Sequence, residues 1–293
     1  MPELPDVELY REALTGRVVG SPLRRVEVMN PFVLRTAVPP LDALHGRTVR
    51  EVRRLGKRIV FAFDDDLFLV VHLMIAGRLQ WLPESGKTPA KITLARLEFG
   101  SGTLALTEAG TRRRASLHCV QGRDVLAAFD AGGLDVLAAD AAAFAQRLRS
   151  ENHTAKRALT DPKLFSGIGN AYSDEILHRA RISPLALTRK LGDDEAGRLA
   201  AAARDVLTEW TQRLRAETAG AFPSKVTAFR PQMAVHGKFR QPCPVCGAPV
   251  QRIVYAENEC NYCARCQTGG AVLADRALSR LLHKSFKRSL DDD

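Results

Sequence analysis

The chain has 293 residues, 45% of them hydrophobic, so it exceeds a typical single core and predicts two or more globular domains. With 43 Lys and Arg against 33 Asp and Glu the formal charge is +10, which favours a polyanionic partner such as nucleic acid. No apolar run reaches membrane-spanning length and the N-terminus lacks the layout of a secretory signal, so no membrane partner is expected and the location read from the sequence is cytoplasmic.

The chain opens Met1-Pro2-Glu3-Leu4-Pro5-Asp6-Val7-Glu8. Trimming Met1 leaves a free secondary amine on Pro2 beside the carboxylate of Glu3. A terminal amine has a pKa of about 7.7 against about 10.4 for lysine, so an appreciable fraction is unprotonated at neutral pH, the form that covalent catalysis needs. The competing reading is structural: Pro5 starts a first helix and the residues before it are its tail.

From residue 21 to about 120 the sequence breaks into short β-rich runs, among them 23–28, 48–55, 58–63, 67–73, 92–99 and 103–107. Ile59, Phe61 and Phe63 alternate with Val60 and Ala62, and Asp64-Asp65-Asp66 supplies a solvated hairpin turn. A β-sandwich is the natural closure. Residues 127–145 read as a short helix and linker leading into a helical domain. There Asn152 to Asp161 is followed by Gly167-Ile168-Gly169-Asn170, whose glycines turn the backbone into a helix starting near Asn170 with free amides able to face a phosphate. Leu199, Ala203, Val206, Leu207, Trp210 and Leu214 form one apolar stripe on a helix over 193–215.

Of six cysteines, five lie between 243 and 266, a crowding that suggests metal rather than disulfides in a cytosolic chain. Cys243-x-x-Cys246 and Cys263-x-x-Cys266 are separated by residues 247–262, enough for a β-hairpin that returns the chain to one structural Zn2+ held by four thiolates. Cys260 also makes a C-x-x-C with Cys263. The second knuckle is assigned to Cys263 and Cys266 because Cys260 falls within the returning strand. Basic residues follow at Arg276, Arg280, Lys284, Lys287 and Arg288.

Taken together, the Pro-Glu-Leu-Pro start, Gly56-Lys57, the segment 152–184 and the terminal C-P-x-C-G and C-x-x-C-Q knuckles resemble, in order, the Fpg/Nei (formamidopyrimidine-DNA glycosylase / endonuclease VIII) family of bifunctional DNA glycosylases. The resemblance implies an α+β multidomain fold: a catalytic β-sandwich over 1–125, a linker over 126–150, a helix-two-turn-helix domain over 151–235, a zinc-ribbon finger over 236–270 and an extension over 271–293. It implies a monomer that acts on damaged double-stranded DNA without a nucleotide cofactor.

Carried over by position, the resemblance makes Pro2 the nucleophile on C1′, Glu3 the acid at the sugar ring oxygen and Lys57 a proton-transfer and phosphate-holding cation. Lys156 and Asn170 match phosphate-gripping residues, and Glu175 matches a helix carboxylate near the terminal amine. His72-Leu73-Met74-Ile75-Ala76-Gly77 matches the family's His-Leu-x-Met-x-Gly, with Ile75 in place of the wedge methionine and Met74 one residue early.

The chain departs from the family elsewhere. Glu108 to Arg114 replaces Asp-Pro-Arg-Arg-Phe, so Arg112 or Arg113 can enter the duplex but the aromatic partner is missing. Asn258 occupies the ribbon-tip arginine position, so a second, δ, elimination needs Arg252 to reach in from the other strand. Asp6 replaces a glutamate at the start, and residues 220–240 lack the lesion-capping sequence of 8-oxoguanine enzymes. The expected activity is excision of an oxidised or modified base followed by β-elimination. A DNA clamp without turnover is the alternative, and a zinc-ribbon RNA-binding or transcription protein explains the ribbon but not the N-terminus. Pro2, Glu3 and Lys57 together favour the enzyme.

Overall fold

The structure, a computed structural model, describes residues 1–83, 86, 88–255 and 258–273. The basic residues from Arg276 to Arg288 lie outside the described residues. The chain divides into two compact units, residues 1–131 with 210–227, and residues 132–209 with the chain from 228 onward.

The first unit opens with α1 (Leu4–Val18). Pro5 lies in its first turn, where no intrahelical N–H is needed, and Asp6 Oδ2 accepts from Glu3 N at 3.0 Å, a reciprocal cap that fixes where the helix starts. Eight strands follow: β1 (Leu23–Val28), β2 (Val49–Leu55), β3 (Arg58–Phe63), β4 (Leu67–His72), β5 (Gly77–Leu82), β6 (Thr93–Phe99), β7 (Gly102–Glu108) and β8 (Ser116–Gln121). They form two antiparallel sheets, ordered β1-β6-β7-β5 and β2-β3-β4-β8. Val26, Leu97, Leu104 and Leu106 of the first sheet share one core with Val52, Ile59, Phe61, Leu69 and Leu117 of the second and with Val7, Tyr10 and Leu14 of α1. Each such side chain contributes about 1.5–3 kcal/mol by leaving water.

Strands β5 and β8 add to the runs named from sequence. The opposite face of the second sheet is buried as well, because Leu126 of α2 (Arg123–Ala127) covers Val60, Ala62, Phe68, Val70 and Val120. Asp64, Asp65 and Asp66 form a tight turn with Asp65 and Asp66 at positive φ, and each pairs with an arginine: Arg50 at 2.6 Å, Arg47, and Arg123 at 3.3 Å. The triplet is thus a charged turn, as expected.

The second unit contains α3 (Ala141–Arg149), α4 (Ala155–Thr160), α5 (Asn170–Ala180), most of α6 (Asp193–Thr218), a hairpin of β9 (Val250–Tyr255) with β10 (Asn258–Cys263), and α7 (Ala264–Thr268). Asp140 and Thr154 cap α3 and α4 through their side-chain oxygens. The short helix expected within 127–145 instead ends at Ala127, and α3 starts at Ala141, where the Asp140 cap sets its boundary. The predicted stripe on α6 is buried from Leu199 to Leu214, and its last turns, from Trp210, belong to the first unit. Among the described residues no helix is long and apolar enough to cross a membrane.

Candidate active site and metal centre

At the start of the first unit Pro2 and Glu3 are both buried, and Met1 is 37% exposed. Burial lowers the pKa of the Met1 terminal amine below its ordinary value near 8; the carboxylates of Glu3 and Asp6 act against that, and the cations of Arg78 and Lys57 act with it. The amine therefore lies in a cluster of two acids and two bases drawn from α1, the β2–β3 turn and β5. Lys57 gets there because Gly56 takes φ +60° at the first position of a two-residue hairpin turn, a conformation glycine adopts without strain. Arg78, which sequence reasoning missed, is pinned by bonds from Nε to Val226 O at 2.7 Å and from Nη1 to Gly77 O at 2.7 Å. Asp6 serves the cluster through its charge while its Oδ2 is engaged by the helix cap.

His72 ends β4 opposite Arg58 and is half-buried; burial first, then the charges of Arg58 and Lys57 and the neighbouring His118, push its pKa down to about 4, so it is neutral at pH 7. The turn after it places Met74 at φ +52° and leaves Ile75 52% exposed at the tip. Gly77 closes this turn by donating to Leu73 O at 2.9 Å, and a Cβ there would lie 2.3 Å from the same oxygen, so no other residue fits without moving the backbone. After β7, the buried carboxylate of Glu108 accepts from the amides of Arg114 at 2.8 Å and Ala115 at 2.9 Å. The intervening loop presents Arg112 and Arg113 on the surface, with Arg113 donating to the carbonyl of Lys91.

In the second unit, Gly167 at φ +83° turns the chain into α5, which starts on Gly169 without a side-chain cap. Lys156 reaches this point from α4 and is buried, its Nζ 2.6 Å from Asn170 O, 2.8 Å from Ser173 Oγ and 2.6 Å from Asp174 Oδ1. Fully buried Asp174 also accepts from His236 Nδ1 at 2.8 Å and Asn261 N at 3.1 Å. Burial opposes its ionisation, but Lys156 and His236 outweigh this and hold the carboxyl below its ordinary range. Glu175 accepts from the amides of Ala234, Val235 and His236 at 2.8–2.9 Å. Arg179, one turn on, bonds Glu209 at 2.9 Å.

Asn170, Asp174 and His178 lie four residues apart on one face of α5. Asn170 Nδ2 donates to Glu259 O at 2.9 Å, and His178 Nε2 lies 3.3 Å from Cys243 Sγ. Just past the helix, Ile182 O accepts from Gln267 Nε2 at 2.9 Å. Asp174, His178 and His236 were not singled out from sequence, whereas Gln267 closes the C-x-x-C-Q knuckle; for Asp174 and His178 the signal available was this polar spacing of four directly after the glycine turn.

The sulfur atoms of Cys243, Cys246, Cys263 and Cys266 all lie within 4.8 Å of one another, with Cys243 to Cys266 at 3.9 Å and Cys246 to Cys263 at 3.4 Å. A tetrahedron with metal–sulfur bonds of about 2.3 Å has edges of about 3.8 Å, so the donor set fits a structural Zn2+. Among the described residues this is the group of metal-ligand side chains brought together. Cys260 stands apart, buried with Ile253, Tyr262 and Ala264, and burial together with Asp174 pushes its thiol pKa up. On the hairpin, Arg252 pairs with Glu259 at 3.4 Å and lies over the Phe239 ring at 4.3 Å, while exposed Asn258 begins β10.

The sequence matches the family models of the formamidopyrimidine-DNA glycosylase N-terminal domain over residues 1–117 and of its H2TH domain over residues 133–218. It is 33% identical over 285 residues to the formamidopyrimidine-DNA glycosylase of Thermus thermophilus, covering 92% of this chain and 100% of that one. Its fold is similar to that of Lactococcus lactis Fpg bound to an abasic-site DNA, with a TM-score of 0.79, 26% identity and coverage of 91% and 99%. It is likewise similar to the same enzyme bound to a Fapy-dG DNA, with a TM-score of 0.80, 26% identity and coverage of 91% and 100%. The chain belongs to the formamidopyrimidine-DNA glycosylase family, DNA glycosylases of base excision repair.

Proposed function

We propose that the chain is a bifunctional glycosylase and AP lyase that removes an oxidised or modified base from double-stranded DNA through its N-terminal proline. The observation that carries this is the head of α1, where buried Pro2 and Glu3 follow a Met1 amine whose pKa is lowered by burial and whose charged neighbours are Glu3, Asp6, Arg78 and Lys57. With Met1 removed, the Pro2 nitrogen attacks C1′ and the base leaves with the electrons of the glycosidic bond. Glu3 takes the proton that the Pro2 nitrogen releases on attack and passes it to the ring oxygen, the sugar opens, and an iminium joins Pro2 to C1′. Loss of a C2′ proton then expels the 3′ phosphate by β-elimination, and water releases the amine. Lys57 and Arg78 offset the negative charge of the departing phosphate.

The base must leave the stack for this attack, and Ile75 with Met74 forms the apolar tip that fills the duplex, joined by Arg112 or Arg113 from the loop held by Glu108. The turn into α5 at Asn170 approaches a backbone phosphate, with buried Lys156 holding that turn through Asn170 O, Ser173 Oγ and Asp174 Oδ1 and adding its positive charge beneath it, and with His72 flanking Lys57 from β4. The cysteine cluster carries one structural zinc that shapes the hairpin. The products end at β-elimination, because Asn258 has no charge and Arg252 is already engaged by Glu259 and Phe239. The protein acts as a cytoplasmic monomer.

The test is a panel of duplexes carrying 8-oxoguanine, formamidopyrimidines, oxidised pyrimidines or an abasic site, scored separately for base release and strand cleavage. Release of at least one base together with a β-elimination product supports the reading. Binding without release or cleavage, in protein whose Met1 is shown to be absent, would leave a DNA clamp.

A further inference from the structure

The four sulfurs carry a combined charge of −4 as thiolates, so a bound Zn2+ leaves the centre at −2, and such a centre needs hydrogen-bond donors. Backbone amides supply one contact, from Cys266 N to Cys263 Sγ at 3.5 Å. A side chain supplies another from outside the ribbon: His178, in the last turn of α5, is buried with its Nε2 3.3 Å from Cys243 Sγ. A thiolate only accepts, so Nε2 carries the proton of this bond.

We infer that His178 is a positioning residue of the zinc centre, donating from Nε2 to the Cys243 thiolate and fastening the first cysteine knuckle to α5. The placement argues for a dedicated contact. A buried imidazole needs a partner, and the helix face that bears His178 also bonds the ribbon through Asn170 to Glu259 O and through Asp174 to Asn261 N. Gln267 makes the return link, accepting from Cys263 N at 2.8 Å and donating to Ile182 O at 2.9 Å, so both knuckles are tied to α5 or its exit. Metal and helix thus hold one another, rather than the ribbon being a freely attached finger.

The inference rests on the site holding zinc, and the experiment separates the two. Zinc content of the purified full chain is measured first, and near one per chain is required. Release of zinc to a chromogenic chelator is then compared for the native chain, His178→Leu, His178→Gln and His178→Asn. Each protein is also loaded with Co2+ and its sulfur-to-cobalt charge-transfer band recorded. Loss of the donor is expected to weaken metal binding by about 10- to 100-fold in His178→Leu and to shift the charge-transfer band to lower energy, since an unbonded thiolate gives up charge more readily. Gln or Asn, which keep an N–H donor, restore part of both effects. Should His178→Leu fail to fold, the Gln and Asn variants still carry the comparison. Native release rates together with an unmoved cobalt band in the variants would overturn the inference, whereas zinc below about half an equivalent in the native chain would instead overturn the zinc reading.

Discussion

Replacing Asp174 by Asn tests the buried network that organises the second unit. The substitution keeps side-chain volume but removes the charge that Lys156 Nζ meets at 2.6 Å, and an amide cannot accept from Lys156, His236 and Asn261 N as the carboxylate does. Removing one partner of a buried pair costs about 3–5 kcal/mol, because the remaining charge is left uncompensated. Lys156 keeps Asn170 O and Ser173 Oγ as neutral acceptors, which places the expected loss near the lower end, about 3 kcal/mol. Against a total stability of about 5–15 kcal/mol this is large, and urea titration followed by circular dichroism detects it.

The pH dependence adds a second check. The folded pKa of Asp174 lies below its ordinary value, so its contribution is present above the unfolded value of about 3.9 and is lost as pH falls through the lower folded value. The difference between native chain and variant is therefore flat from about pH 5 to 8 and shrinks below about pH 4. A loss under about 1 kcal/mol at pH 7, or a difference that widens in acid, would refute the account of this network.

Gly77→Ala brings a Cβ to 2.3 Å from the backbone oxygen of Leu73, which has no flexible end to yield. The expected result is a destabilisation of about 1–3 kcal/mol by thermal melting and weaker binding to abasic-site DNA as the Met74–Ile75 tip is displaced; unchanged melting and binding would contradict it. Glu108→Ala removes the one oxygen, Oε2, that accepts from both the Arg114 and Ala115 amides, so limited proteolysis is expected to cut the 109–114 loop faster than in the native chain, with equal rates counting against the role assigned to Glu108. Stripping the metal with a chelator is expected to remove about one zinc per chain and lower the melting temperature, and fewer than about half an equivalent in freshly purified protein would speak against a four-thiolate site.

The sandwich was legible because its strands carry local signals: Ile59, Phe61 and Phe63 alternate, and Gly56-Lys57 marks a tight turn. The cysteine cluster was legible because metal spacing is a sequence property, and the assignment of Cys263 with Cys266 agrees with the sulfurs that converge. Strand β5 carries the same alternation in Arg78-Leu79-Gln80-Trp81 and was readable though not named, whereas Arg78 acquires meaning only through the fold that brings its charge to the Met1 amine. The same holds for Asp174 and His178. In a linear reading they are polar residues on a helix, and their roles come from Lys156, His236 and Cys243, which are distant in sequence. Glu175 is another such residue: on the helix it is one carboxylate among polar neighbours, and only the fold brings it the three backbone amides of residues 234–236 that occupy it.

In the proposed mechanism the covalent bond to the sugar is made by the Pro2 amine and by no lysine. The direct measurement is reduction by borohydride of the native chain on an abasic-site duplex, followed by proteolysis and mass spectrometry of the adduct. The account predicts a sugar remnant on the N-terminal peptide beginning at Pro2, and its loss in Pro2→Gly or in protein retaining Met1. An adduct on Lys57 or another lysine, with the N-terminal peptide unmodified, would contradict it.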